Sequence, residues 1–187
     1  MTELALESGQ LLVATALLVD PNFQHAVVLL LDVDENGALG VVVNRPSPVP
    51  VAEVLPDWSP LATEPDVMFL GGPVSTDSAL AVATLADSDD EPVGFRRLFG
   101  RTGIVDLDTP TEVVADAVSR LRVFAGYAGW GAGQLEDEIG EESWYVVPAV
   151  PGDLYSEDPG ALWPRVMRRQ PGELAWLSTR PLDPTLN

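Results

Sequence analysis

Cysteine and lysine are both missing from these 187 residues, and histidine occurs once, as His25. Each gap removes a chemistry. Without cysteine there is no disulfide, thiolate nucleophile, iron–sulfur cluster or cysteine-held zinc. Without lysine there is no Schiff base and no P-loop lysine to meet a phosphate. One histidine cannot build a two-histidine metal site within a single chain. A serine triad would have to run through His25, and no Gly-x-Ser-x-Gly elbow accompanies it. The longest purely apolar run, residues 26–31, falls far short of the roughly 20 residues of a membrane helix. Glu3 and Glu7 stand where an export signal needs positive charge, so the sequence predicts a cytoplasmic protein.

What is present is acidic and apolar at once. There are 29 acids against ten bases, all arginine, for a formal net charge of −19. The apolar share is 46%, too high for a disordered acidic chain. The length fits one domain over residues 1–187, with room for a small second lobe in the second half. A chain of this size buries roughly 70% of its unfolded surface, enough to fold without staples. The charge is unevenly spread. Residues 1–94 hold 15 acids and one base, Arg45, whereas residues 95–187 hold 14 acids and nine arginines. Any anion-binding surface is therefore expected in the second half.

The pattern along the chain mixes strands and helices without strict alternation. Residues 11–14 and 23–31 read as strands, the second buried on both faces. Asn36-Gly37 marks a hairpin into residues 38–43. Pro46, Pro48 and Pro50 end that strand in a loop, before a short helix at 51–55. Strands follow at 67–70, 80–85 and 104–107. The four acids within residues 87–91 read as a solvated loop tip. Thr109-Pro110-Thr111-Glu112 reads as a capped helix start, with Arg120 and Arg122 closing the helix, and residues 121–125 return as a strand. Residues 126–133 are a glycine-rich loop feeding a helix at 134–139. A strand at 144–147, a helix from Asp158 to about Arg169 and a last strand at 174–177 complete the reading.

Most motifs have a plain structural explanation. Asp32 to Gly37 matches the first half of a calcium loop, but Val43 stands where a bidentate glutamate is needed, so no metal is expected. The glycine-rich loop is neither GxGxxG nor GxxxxGK[ST], and Glu136, Asp137 and Glu138 in the following helical turn would repel phosphate. His25 alternates with Phe23 and Val27 as a half-buried strand residue. Arg45 is expected to meet an internal carboxylate. Glu136/Glu138, Glu141/Glu142 and Asp106/Asp108 read as solvated acidic faces. Arg165, Arg168 and Arg169 share one helix side, and Arg96, Arg97 and Arg101 form a second cluster.

Several short motifs in order carry a resemblance. They are Gly9 to Ala14, Phe23 with Val27 to Leu30, and Gly37 to Gly40 running on to Asn44-Arg45-Pro46. Gly71-Gly72-Pro73-Val74, Gly126 to Trp130, Gly133-Gln134-Leu135-Glu136, Trp144 and the tail Asp183 to Asn187 follow. The chain resembles the YqgE/AlgH family of bacterial proteins, described as uncharacterised or as regulators of transcription. The resemblance implies a mixed α/β (α+β) fold, a branched β-sheet curled into a partial barrel with helices packed outside. It implies no established activity and no cofactor. Family members often carry a histidine after the acid matching Asp32 and another about ten residues beyond Gly-Gly-Pro-Val. Val33 and about Ala83 stand there here.

The expectation is a non-enzymatic binding or regulatory module. Its ligand or partner surface is expected at Asn44, Arg45, Pro46, Gly71, Gly72, Gly129, Trp130, Gln134 and Glu136, where unusual glycine, proline, tryptophan and asparagine gather. The partner is a protein or small molecule rather than nucleic acid or a membrane. Two alternatives stand beside this reading: DNA contact through the arginine clusters, and a hydrolase using paired carboxylates.

Overall fold

Alternation of large apolar residues decides the architecture. In the computed structural model, which describes residues 5–87 and 89–179, strand β1 (Gln10–Ala14) sends Leu11 and Val13 to one face and Leu12 and Ala14 to the other. Strands β2 (Val27–Asp34) and β3 (Gly37–Val42) do the same, so all three are buried on both sides. The remaining strands are β4 (Pro46–Pro50), β5 (Val67–Leu70), β6 (Val74–Leu85), β7 (Phe95–Phe99), β8 (Thr102–Val105), β9 (Val118–Gly131) and β10 (Trp144–Pro148). One path runs β10-β1-β2-β3-β9-β6-β8-β7, and β4 and β5 branch from it where β5 lies parallel to β9. The fold is mixed α/β: a branched sheet curled into a half-barrel, with a few short helices packed against it. These are α1 (Val51–Val54), α2 (Thr111–Val114), α3 (Gln134–Gly140), α4 (Pro151–Leu154), α5 (Leu162–Arg168) and α6 (Glu173–Leu177).

Five local expectations are corrected. β2 begins at Val27, not Phe23; residues 21–25 are a turn in which His25 takes φ 59°. The three prolines do not end in a loop but form edge strand β4. Arg45 accepts from Leu70 and Val51 donates to Asp66, so the odd positions bond β5 and the prolines' missing N–H groups face the open edge. The helix expected through Arg122 stops after one turn, and Arg120 and Arg122 sit in β9, whose pairing with β6 overrides the cap signals. The glycine-rich stretch continues β9 to Gly131. Residues 174–177 form α6, because Leu174 and Leu177 pack inward at helical spacing while Trp176 stays 76% exposed.

The hairpin after β2 turns at Glu35-Asn36, with Gly37 opening β3. The tail from Asp183, like Glu3, lies outside the described residues. No helix among the described residues is long and apolar enough to cross a membrane.

Candidate functional site

The residues singled out from the sequence fall into two groups. The first surrounds the branch point. Asn44 accepts the Val27 N–H at 3.0 Å and donates to the His25 carbonyl at 2.9 Å. Arg45 donates to the carbonyls of Asn22 and Gln24, not to a carboxylate. Burial lowers its pKa, against the opposing field of Asp20. Both side chains thus hold the turn before β2. Pro46 opens β4. Gly71 and Gly72 let the end of β5 cross β9: a Cβ at Gly72 would lie 2.3 Å from the Tyr127 backbone.

The second group lies at the far end of β9, where Gly129 pairs with Leu39 and Trp130 with Ala38. Trp130 is buried and donates its indole N–H to Glu138 at 2.9 Å; Trp144 donates to the same oxygen at 2.9 Å. Gln134 donates to the other Glu138 oxygen and accepts from Gly131. Phe23 stacks on Trp130 and meets Trp144 edge-on. Glu136 is exposed on α3. A shallow 190 Å³ hollow beside Trp130 is lined by hairpin residues such as Asp32 and Asp34, and by none of the first group.

The larger openings lie elsewhere, at the β6–β8–β9 face under the 149–155 segment. One cleft of about 740 Å³ has Leu29, Phe99 and Val150 on its apolar side and Thr84, Thr102, Ser119, Arg101 and Arg120 on its polar side. A second, of about 480 Å³, shares Arg120, Gly152 and Tyr155 with it and adds Arg165. Registry explains the polar wall. Thr102, Thr84 and Arg120 lie directly opposite one another on β8, β6 and β9, so their side chains share a face. Thr84 and Thr102 hydroxyls are 2.9 Å apart, and Tyr155 bonds Thr84 at 2.8 Å. Burial pushes the Tyr155 hydroxyl above its ordinary range, opposed by the Thr84 bond and by Arg122 and Arg120, so at neutral pH it is a donor.

Arg122, two residues from Arg120 along β9, lines neither opening and is buried beside them. It is 1% exposed and donates to the carbonyls of Leu154 (3.0 Å), Ser156 (3.4 Å), Thr63 (3.3 Å) and Glu64 (2.8 Å). Its guanidinium carbon lies 4.2 Å over the Phe69 ring, and its Nε has no partner. Burial lowers its pKa to about 10, against the favourable field of Tyr155, so it stays protonated at neutral pH. The 149–155 wall is pinned separately. Asp153, 3% exposed, accepts the Val150 N–H and pairs with Arg169 at 2.7 Å.

Sequence reasoning missed Arg122, Tyr155 and Glu138 as organising residues. A period-two reading of residues 118–124 was the available signal, since it puts Arg122 on the same face as Phe124. Of the expected cationic clusters, Arg97 is paired with Glu91 and Arg169 with Asp153. Among the described residues the Arg101 guanidinium bonds only the Ala86 carbonyl and that of Arg165 only the Ser156 hydroxyl. The expected carboxylate pairs are surface groups, apart from half-buried Glu138.

With this geometry in place, comparison with known proteins gives consistent matches. A family described as AlgH-like matches residues 11–175. A UPF0301 protein of Streptomyces coelicolor is 58% identical over 190 residues, covering 100% of this chain and 98% of that one. A UPF0301 protein of Mycobacterium bovis is 45% identical over 183 residues, covering 96% and 90%. The crystal structure of a Corynebacterium diphtheriae protein aligns with TM-score 0.89 at 34% identity, covering 96% and 95%. The solution structure of the Pseudomonas aeruginosa AlgH protein aligns with TM-score 0.68 at 28% identity, covering 97% and 98%.

Proposed function

Because this chain belongs to the AlgH-like family, and the similar proteins carry no named activity, we propose from its own geometry that it is a small-molecule binding module. The ligand site is the cleft under the 149–155 segment. One observation carries the reading: an opening of about 740 Å³ with an apolar side and a polar side, the size and make-up of small-ligand pockets. Its polar groups suit holding better than transforming. Tyr155 keeps its proton, Asp153 is ion-paired, and the threonine hydroxyls bond each other. The sequence-derived surface around Asn44, Arg45, Gly71 and Trp130 serves this reading as framework. Any regulatory role would follow from occupancy of the cleft, through the α4 segment that walls it. Contact with DNA has weaker support, since Arg97 and Arg169 already face the protein's own acids.

Gly152 supplies the test. A side chain there meets open space, so Gly152→Trp fills the cleft without straining the backbone. A thermal-shift screen of a metabolite library should find compounds that raise the Tm of wild type and not of this variant. A library in which every stabilising compound acts equally on both proteins would overturn the assignment.

A further inference from the structure

Acids outnumber bases almost three to one in this chain, yet the arginines lining the two adjoining openings have no carboxylate partner among the described residues. The Arg120 carbonyl accepts from the Tyr155 hydroxyl at 3.4 Å, but its guanidinium has no hydrogen-bond or ion-pair partner among the described residues and lies against the Tyr155 face, 5.6 Å from the ring centre. Arg101 spends one N–H on the Ala86 carbonyl, and Arg165 one on the Ser156 hydroxyl. Beside them Arg122 holds a fourth positive charge, caged by carbonyls and with its Nε unmatched. A guanidinium left without an anion in so acidic a protein is a vacancy for one, because its planar fork suits a carboxylate or phosphate. Asp153 is the acid that lines the first opening, and it is already paired with Arg169; Glu64, Glu157 and Asp158 line the second. The net charge of −19 repels anions at long range, so the local cluster must supply the attraction.

Resting on the cleft reading above, we infer that the ligand is an amphipathic anion. Its oxyanion head lies against Arg120 and Arg101; the nearby Ser119 hydroxyl is already given to the Thr84 carbonyl. Its apolar body lies along Leu29, Phe99 and Val150. Carboxylate and phosphate heads share this chemistry, and the probes separate them. Binding of decanoate, decyl phosphate, decanol and inorganic phosphate is measured by calorimetry, with amide shifts of Gly100 and Gly152 reporting the place. At least one of the two amphipathic anions should bind about tenfold more tightly than decanol, and whichever does names the head. Arg120→Gln, an exposed change, should remove that advantage and leave decanol unaffected.

Decanol binding the cleft as well as either anion would overturn the anionic assignment while leaving the cleft as a ligand site. Inorganic phosphate matching decyl phosphate would overturn the apolar body. No shift at Gly100 or Gly152 with any probe would overturn this inference, and the library screen with Gly152→Trp would still judge the cleft itself.

Discussion

Arg122 and Glu138 are both drawn out of water without an opposite charge beside them, and neutral dipoles hold each. Four carbonyls cage the cation; two indole N–H groups and Gln134 cap the anion. The surroundings differ. At Glu138 the groups that touch the carboxylate are committed: Gln134 spends its amide on Gly131 and Glu138, and Phe23, Trp130 and Trp144 close the apolar shell. Near Arg122 one guanidinium N–H is unmatched, and Arg101, Arg120 and Arg165 lack anions. A buried charge is thus a structural device at both ends of the sheet. The mark of a site is the set of uncommitted groups beside it.

Removing the cation should be the harsher break. Arg122→Met leaves four carbonyls short of a donor, each worth about 1–3 kcal/mol, offset by the desolvation that the charge no longer suffers. A loss of about 2–4 kcal/mol is expected in urea denaturation. A change under about 0.5 kcal/mol would mean that the carbonyls find other donors and that the cage holds nothing together. At the opposite end, Glu138→Gln keeps the shape and removes the charge. Its cost should be about 1–2 kcal/mol, the difference between charged and neutral acceptors for two indoles. Tryptophan emission should shift to the red as Trp130 and Trp144 loosen. Equal losses for the two variants would erase the distinction between cage and knot.

The two ends were unequally legible in the sequence. Strand β1, the both-faced burial of β2, the presence of a hairpin after it, helix α3 and β10 all follow from local apolar period and turn chemistry. The tryptophan end was therefore visible in outline, although Trp130, expected on a ligand surface, is buried and the glycine-rich stretch before it is strand. The arginine end was hidden by signals that are locally sound and globally overruled. Thr109-Pro110-Thr111-Glu112 does start a helix, but β9 claims the chain from Val118 because a fourteen-residue strand pairs with β3, β5 and β6. Glycines at 126 and 129 read as loop, yet Gly126 is needed in β9, where it takes φ 74° and an added Cβ would lie 2.5 Å from the Gly72 carbonyl oxygen. The cleft joins residues 9, 84, 101, 120 and 155, and no local spacing places those together.

Alkaline titration sharpens the contrast, because Tyr155 ionises beside the cage. Its folded pKa is raised by burial, so the folded state keeps a proton that the unfolded chain releases near pH 10. The stability this group contributes is complete below pH 10 and falls as pH rises beyond it, by at most about 1.4 kcal/mol per pH unit. Urea midpoints taken between pH 8 and 11 should fall more steeply in wild type than in Tyr155→Phe, which has no proton to lose. Parallel curves would show that the hydroxyl is not sealed from water.

The smallest effect on stability is expected where the functional reading places most weight. Arg120 is exposed, and its neighbour across the strand pair, Thr84, bonds Thr102 and Tyr155 rather than the guanidinium. Arg120→Gln should therefore shift the urea midpoint by less than about 0.5 kcal/mol, within the range of ordinary surface changes. That outcome would mark Arg120 as a residue the fold does not need, as the proposed ligand reading requires in a chain of 29 acids. If Arg120→Gln instead destabilises as much as Glu138→Gln, the cation is one more internal strut. The two ends of the sheet would then differ only in the sign of the charge they bury.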